Sequence, residues 1–382
     1  MAEDYVTPLS SVALPLPQQH RQTSLNETFK GTIGKGPAMV RSPFTIAHHN
    51  QTTLSSFPRP LSSAKQSSIP PKTIAYAVSL IQCSNIDSNG PGLSDAALVL
   101  RHSIHQNSVR NPGSGSRYDY RMIAIVHPQA VECAQWLERA SFEIVIRDTP
   151  IHPTNVEAPF LKKRMHRALC CGHNEFIKLY AYTLTEFPVV VHMDIDFVIT
   201  KPLDDLFDVL TQDKERMEAA KQRIELQDPA QGWPQEPPQA FFTRDWAAAI
   251  PGKVSGYQAG FIALVPNPVL FDDVVKVIQT TNFIGGFSRR NDNGWGGLGY
   301  GSFIGDMAMQ GAMAYYYDQF RPTEFVELNM CAHNHMGMKV TVGRNSKCKN
   351  NKPTCENCQH TPLSRIHSIH YSEYGQNSIF AK

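Results

Sequence analysis

The sequence of 382 residues lacks any run of about 18 apolar residues, the minimum that a membrane-spanning helix needs. The first residues, Met1-Ala-Glu-Asp, also lack the basic start and apolar run of a secretory signal. We therefore expect no membrane span in this chain.

A strong excess of charge of one sign is also missing. Lysine and arginine number 36 against 34 aspartates and glutamates, which leaves a formal charge of +2. Proteins that bind nucleic acid or an anionic membrane surface usually carry a basic field. The balance argues against nucleic acid as a partner.

The first part of the chain has little apolar periodicity. Residues Met1 to Pro71 are rich in Ser, Thr, Pro, Gln and His, and such a composition buries too little apolar surface to offset chain entropy. We interpret residues 1–71 as a disordered stem or linker. Residues 72–382 are then one globular domain with a cysteine-containing tail.

Within that domain, apolar runs typical of buried strands alternate with segments of helical period. The pattern predicts an α/β fold, with a Rossmann-like parallel or mixed sheet flanked by helices. The predicted strands are Thr73–Gln82, Arg121–Val126, Phe142–Ile146, Val189–Val191 and Phe261–Val265. The predicted helices are Ser94–His105 with Ser94 as N-cap, Gln129–Ala140, Phe176–Thr185, Lys214–Leu226, Val269–Thr280 and Asp306–Tyr317, and the predicted irregular segments are Gln227–Gln239 and Gly285–Gly305.

Eight cysteines are present, and four of them lie close together near the C-terminus: Cys331, Cys348, Cys355 and Cys358. Two disulfides in a loop-rich tail are the preferred interpretation. A structural zinc ion and free thiols remain alternatives, although the spacing matches no common zinc motif closely.

The chemistry is concentrated at Asp194 and Asp196, which follow the apolar strand Val189–Val191. In an extended segment, residues two apart point to the same face, so both carboxylates could bind one hard cation. Such an ion could bridge two phosphates and favour departure of a nucleoside diphosphate. Two charges between apolar runs are costly to bury without an ion as partner.

The block Asn174-Glu-Phe-Ile-Lys-Leu-Tyr-Ala-Tyr-Thr-Leu-Thr-Glu-Phe-Pro-Val-Val-Val-His-Met-Asp-Ile-Asp-Phe-Val-Ile-Thr-Lys-Pro-Leu-Asp-Asp-Leu-Phe-Asp208 resembles the central block of the glycogenin-like glycosyltransferases, family 8. The resemblance extends over about Thr73 to Ser378. It implies a GT-A fold, a UDP-sugar donor, Mn²⁺ or Mg²⁺ as cofactor, and transfer of a hexose or related sugar with retention to a glycan or protein acceptor.

The resemblance also implies roles for single residues. Asp194, Asp196 and His370 match the metal ligands, although His333, His335 and His367 are rivals of His370. Asp306 and Gln310 match residues that position the transferred sugar, and are the catalytic candidates. The remaining donor-binding candidates are Ser84, Lys178, Ile195, Gln258 and Gly260.

Several positions depart from the family pattern, Gln258 in place of asparagine among them, and two bear on activity. Met309 stands where the family carries aspartate in Asp-Gln-Gly, and Gln376 stands where it carries lysine. A non-catalytic protein that binds sugar nucleotides or glycans is therefore an alternative to an active transferase. A metal-dependent hydrolase or phosphotransferase is a third interpretation, but the sequence displays neither a base nor a water path for it.

The sequence indicates the cellular compartment of the protein only indirectly. The clustered cysteines and the glycosylation triplets that begin at Asn26 and Asn50 suit a Golgi lumen, if an anchor precedes this sequence. Otherwise a cytoplasmic enzyme is expected.

Overall fold

The computed structural model describes residues 70–83, 92–168, 171–246, 249, 254–285, 293–340, 348–350 and 352–371. The predicted stem, residues 1–71, lies almost wholly outside these ranges. The elements below all belong to one unit, Ser67–Lys382. Over the described ranges, no helix has the length and apolar character needed to cross a membrane.

A seven-stranded mixed sheet, in the order β10-β6-β7-β4-β1-β2-β3, organises the chain. Strand β1 pairs in parallel with β2 and β4, and β2 with β3, whereas β7 runs antiparallel to both β4 and β6. The described strands are β1 Thr73–Leu80, β2 Asp119–Val126, β3 Glu143–Ile146, β4 Val190–Met193, β5 Phe197–Ile199, β6 Ala240–Arg244, β7 Tyr257–Leu264, β8 Phe283–Ile284, β9 Gly294–Trp295, β10 Phe325–Glu327 and β11 Ser368–His370.

Helices cover both faces of this sheet. The described α-helices are α1 Gly92–Gln106, α2 Val131–Arg139, α3 Pro159–Arg164, α4 Asp204–Leu210, α5 Met217–Arg223, α6 Pro268–Thr280, α7 Met309–Phe320 and α8 Met330–His333. A 3₁₀ helix of 12 residues, Gly172–Thr183, precedes β4. Short 3₁₀ turns cover Pro112–Ser114, Pro128–Ala130, Pro153–Asn155, Met165–Arg167, Pro229–Gln231, Cys358–His360 and Leu363–Arg365.

The central strands bury both of their faces. Alternate side chains of β1 enter opposite cores, with Tyr76 and Val78 on one side and Ala75 and Ala77 on the other. A strand apolar on both sides belongs in the middle of a parallel or mixed sheet covered by helices. The predicted α/β class, with a Rossmann-like mixed sheet flanked by helices, is confirmed.

Some local predictions were wrong in detail. Ser94 lies inside α1, which begins at Gly92, so it is not the N-cap. The segment around Lys178 is a 3₁₀ helix rather than an α-helix. Helix α7 begins at Met309, three residues after Asp306. Strands β6 and β10, at one edge of the sheet, were not predicted because each is short.

The cysteines of the tail pair as two disulfides, Cys331–Cys358 and Cys348–Cys355, which agrees with the preferred interpretation and not with a zinc site. A further disulfide, Cys83–Cys133, joins the end of β1 to α2. Sequence spacing gave no sign of this last pair because the partners are 50 residues apart.

Candidate metal centre

Asp194, Asp196 and His370 converge beyond the carboxyl end of β4. Nε2 of His370 lies 3.4 Å from Asp196 Oδ1 and 3.8 Å from Asp194 Oδ2. Oxygen and nitrogen ligands about 2.1 Å from one ion lie roughly 3 to 4 Å apart, so these distances fit one divalent cation. In the described ranges, this is the one group of three or more His, Cys, Asp or Glu side chains whose ligand atoms lie within 4.8 Å of one another.

A turn and a strand pair bring the three side chains together. Asp194 and Asp196 lie between β4 and β5, so the prediction that they alternate along one extended strand was wrong. Strand β5 then pairs antiparallel with β11, which places His370 opposite Phe197. The His370 ring also stacks on the Phe197 ring, with centroids 4.3 Å apart. Pairing between strands far apart in sequence therefore supplies the third ligand.

The His370 ring is held in the tautomer that a metal ligand needs. Asn334 donates through Nδ2 to Thr243 Oγ1 at 2.9 Å, which leaves its Oδ1 to accept from His370 Nδ1 at 3.2 Å. In the neutral ring, this hydrogen bond leaves the lone pair on Nε2, which faces the two carboxylates. Asn334 was not predicted, because only the fold brings it to His370.

Gly260 and Gln258 lie on β7 directly beside the cluster. A Cβ atom on Gly260 would stand 2.7 Å from both Asp194 Oδ2 and His370 Cε1, so only glycine leaves room there. The Gly260 N–H donates to Gln258 Oε1 at 2.5 Å, and its carbonyl accepts from Asp194 N at 3.0 Å. Both predicted residues therefore lie at the site, where Gln258 holds the backbone.

Lys178 is buried next to Asp194, which suits its predicted role beside a diphosphate. Its Nζ donates to Asp194 Oδ1 at 2.8 Å and to the Ala259 carbonyl at 3.3 Å. Burial would lower the pKa of Lys178, but the neighbouring carboxylates of Asp194 and Glu175 raise it above its usual value. Burial would likewise raise the pKa of Asp194, yet the Lys178 ammonium holds it below its usual value. The pair is therefore charged at neutral pH.

The two catalytic candidates lie around the start of α7. Gln310 is buried between the glycines at 256 and 305, and its Oε1 has no hydrogen-bond donor among the described residues. The Asp306 carboxylate accepts from Ser302 N at 2.7 Å, and burial raises its pKa. Gln310 thus offers an unpaired acceptor, whereas Asp306 already closes a turn.

The start of α7 is linked to the metal cluster through Glu175, which the sequence analysis did not single out. Glu175 Oε2 accepts from Met309 N at 3.3 Å, and Oε1 lies 3.5 Å from Lys178 Nζ. Its position three residues before Lys178 was the available sequence signal, because residues three apart lie on one face of either an α-helix or a 3₁₀ helix.

The other candidates divide into three groups. Ile195 is half-buried and packs against the core beside the two aspartates. Ser84 and Gln376 lie outside the described residues. The rival histidines are absent from the cluster: His333 and His367 stack on each other with centroids 4.7 Å apart, and His335 Nδ1 lies 3.1 Å from the Cys331 carbonyl oxygen.

No protein-family model matches the chain, and no curated protein matches it in sequence. Solved structures similar to it include the apo form of mouse xyloside xylosyltransferase 1, with 12% identity, a TM-score of 0.43, and coverage of 78% of this chain and 98% of that one. The glycosyltransferase GlyE of Streptococcus pneumoniae TIGR4 has 12% identity and a TM-score of 0.37, over 81% of this chain and 57% of that one. The galactosyltransferase LgtC, in complex with donor and acceptor sugar analogs, has 10% identity and a TM-score of 0.33, over 78% and 86%.

Proposed function

We propose that this chain is a glycosyltransferase of the GT-A type. It would move a hexose or related sugar from a UDP-sugar to a glycan or protein acceptor with retention. The observation that carries the proposal is the convergence of Asp194, Asp196 and His370 beside the buried Lys178, at the carboxyl end of β4. Ligands of open α/β sheets bind at that edge of the sheet.

The chemistry of the three ligands supports a divalent cation. Two carboxylates and a neutral imidazole suit Mn²⁺, with Mg²⁺ as the alternative. The carboxylates of Asp194 and Asp196 keep 36% and 26% of their exposure, so an ion can reach them, whereas the His370 side chain keeps 3%. When bound, the ion supplies positive charge for the diphosphate that leaves the sugar.

The side chains around the ligands would bind and orient the donor. Lys178 offers a second positive charge beside the diphosphate, and this charge acts through space because the N–H donors face protein acceptors. Gln310 Oε1 can accept a hydrogen bond from a hydroxyl group of the transferred sugar, which would satisfy a buried acceptor. Glycine at positions 256 and 305 leaves room for the Gln310 side chain, because an added Cβ atom would lie 3.3 Å or 2.9 Å from it.

Retention requires the acceptor to attack from the face that the diphosphate leaves. The bond between the anomeric carbon and the phosphate oxygen breaks as the acceptor oxygen bonds to the same carbon. The acceptor proton then passes to the leaving phosphate oxygen. No protein nucleophile is needed for this sequence of events.

The test is release of UDP from a panel of UDP-sugars in the presence of Mn²⁺. We expect the double change Asp194→Ala with Asp196→Ala to lower the rate by about 100-fold or more, as loss of electrostatic stabilisation at a reacting centre does. The matched control is Asp119→Ala with Glu143→Ala, two carboxylates in exposed ion pairs. UDP release that survives the first double change would contradict the metal assignment, and UDP binding without turnover in the unchanged protein would favour a non-catalytic binding protein.

We also propose that the protein works in the Golgi lumen. The three disulfides Cys83–Cys133, Cys331–Cys358 and Cys348–Cys355 support an oxidising compartment. Mass determination of the intact chain from its native source tests this location. Glycans on Asn26 or Asn50 together with oxidised cysteines are expected, and a fully reduced chain without glycans would contradict it.

A further inference from the structure

Glu175 is a buried carboxylate at the centre of the candidate site. It lies in the 3₁₀ helix Gly172–Thr183, three residues before Lys178. Because a 3₁₀ helix has three residues per turn, the two side chains are eclipsed on one face of that helix. Their side chains retain 10% and 8% of their exposure, so the pair is almost removed from water.

The ammonium of Lys178 is shared between two carboxylates. Nζ lies 2.8 Å from Asp194 Oδ1 and 3.5 Å from Glu175 Oε1, and it also donates to the Ala259 carbonyl. An ammonium group has three N–H donors, so these three acceptors match its capacity. Asp194 thereby keeps its other oxygen, Oδ2, directed to His370.

Glu175 also fixes the start of α7. Its Oε2 accepts from Met309 N, one of the backbone N–H groups that a helix cannot satisfy in its first turn. One carboxylate therefore joins Lys178 to the helix turn that carries Gln310. The lysine and the glutamine are held relative to each other by this single side chain.

The balance of charge shows why a second carboxylate is needed. Lys178 lies next to an oxygen of a proposed metal ligand, so a divalent ion and the ammonium repel each other there. If Asp194 were the only carboxylate at Lys178, the ammonium would compete with the ion for it. Glu175 gives the ammonium a second carboxyl acceptor, which leaves Asp194 Oδ2 able to bind the ion.

We propose that Glu175 is a positioning residue that acts through Lys178. It holds the ammonium where Asp194 Oδ2 stays open to a divalent cation, and it ties that ammonium to the first turn of α7. The inference rests on the proposed function, because it assumes that the cluster of Asp194, Asp196 and His370 binds the ion.

The test is a double-mutant cycle read out as Mn²⁺ affinity by calorimetry, without donor and on the full chain. The variants are Glu175→Gln, Lys178→Met and the combination of both. In the otherwise unchanged protein, we expect Glu175→Gln to weaken Mn²⁺ binding by about tenfold or more, because an ammonium that Glu175 no longer holds would compete with the ion for Asp194. In the Lys178→Met background, the same change should have less than about a twofold effect, because there is no ammonium to position.

Two results of the cycle would overturn the proposed role of Glu175. Equal effects of Glu175→Gln in the two backgrounds would mean that Glu175 contributes charge alone, and no effect in either would mean that it has no role; both results overturn the proposal. Failure of the unchanged protein to bind Mn²⁺ would overturn the proposed function itself, which separates the two failures.

Two further variants guard against loss of folding. Glu327→Gln is the matched control, because Glu327 is an equally buried glutamate that pairs with Arg244 and Trp246 in another part of the sheet. It should lower stability without changing Mn²⁺ affinity. If Glu175→Gln does not fold, Glu175→Asp replaces it, and the shorter side chain should weaken Mn²⁺ binding only where Lys178 is present.

Discussion

Two clusters of charged side chains differ in what they leave unpaired. Around Arg244, two carboxylates pair with the cation: its guanidinium contacts Asp318 at 2.6 Å and Glu327 at 3.1 Å. Tyr257 donates to Asp318 at 2.9 Å, and Trp246 donates to Glu327 at 2.8 Å. This closed cluster, defined here as Arg244, Tyr257, Trp246, Asp318 and Glu327, balances its carboxylates with its own donors.

The open cluster, defined as Asp194, Asp196 and His370, does not balance its carboxylates with donors of its own. Three acceptor atoms face one another, and only Asp194 receives a donor from Lys178 among the described residues. Neighbouring carboxylates with few donors repel each other unless a cation joins them. The contrast indicates that the closed cluster stabilises the fold, whereas the open cluster is a place for a ligand.

The largest effect is expected from a substitution that removes the cation of the closed cluster. Arg244→Met leaves Asp318 and Glu327 buried without their cation, and we expect it to lower the free energy of unfolding by about 3–5 kcal/mol. Denaturant titration measures this change. The control Asp196→Asn, which removes charge from the open cluster, should leave the same free energy within about 1 kcal/mol. If the two variants lose equal stability, the contrast between the clusters is wrong.

A second prediction concerns the orientation of His370. Asn334→Ala removes the acceptor for Nδ1–H, and we expect Mn²⁺ affinity to fall by about 10- to 100-fold, as other losses of partners behind a metal-ligating histidine do. Calorimetric titration with Mn²⁺ gives the dissociation constant. Asn329→Ala serves as a control, because Asn329 caps α8 and lies outside the open cluster. An unchanged dissociation constant for Asn334→Ala would show that the ring needs no partner.

The third prediction concerns the steric fit at Gly260 rather than the charge of the cluster. Gly260→Ala places a Cβ atom against Asp194 and His370, and we expect a loss of about 1–3 kcal/mol in the free energy of unfolding from overpacking. Addition of Mn²⁺ should stabilise the unchanged protein more than this variant, which thermal unfolding with and without the ion measures. Equal stabilisation of both proteins by Mn²⁺ would indicate that the ion binds away from Gly260.

The smallest effect is expected from a substitution that removes one hydrogen-bond donor from the closed cluster. Trp246→Phe deprives Glu327 Oε1 of its hydrogen bond, and we expect a loss of about 1 kcal/mol. Denaturant titration again measures it. Mn²⁺ affinity should not change, and a drop in that affinity would connect the two clusters.

Much of the fold could be predicted from local sequence. Apolar runs marked β1, β2, β3 and β4, and helical periods marked α1, α2 and α6. The shorter strands β6, β10 and β11 could not be predicted, since three to five residues carry too little periodicity. At the site, Asp194, Asp196, Lys178 and His370 were named from the sequence, but Glu175 and Asn334 were not.

The sequence by itself determined that an apolar strand ends in two aspartates, because burial of Val189 to Val191 and exposure of charge follow from side-chain chemistry. Only the tertiary structure decided which histidine joins them. Pairing of β11 with β5 chose His370 over His333, His335 and His367, and this register depends on backbone hydrogen bonds between segments about 170 residues apart. It also decided that Lys178 is shared between Glu175 and Asp194, because the packing of Gly172–Thr183 against β4 brings Asp194 Oδ1 to 2.8 Å from Nζ.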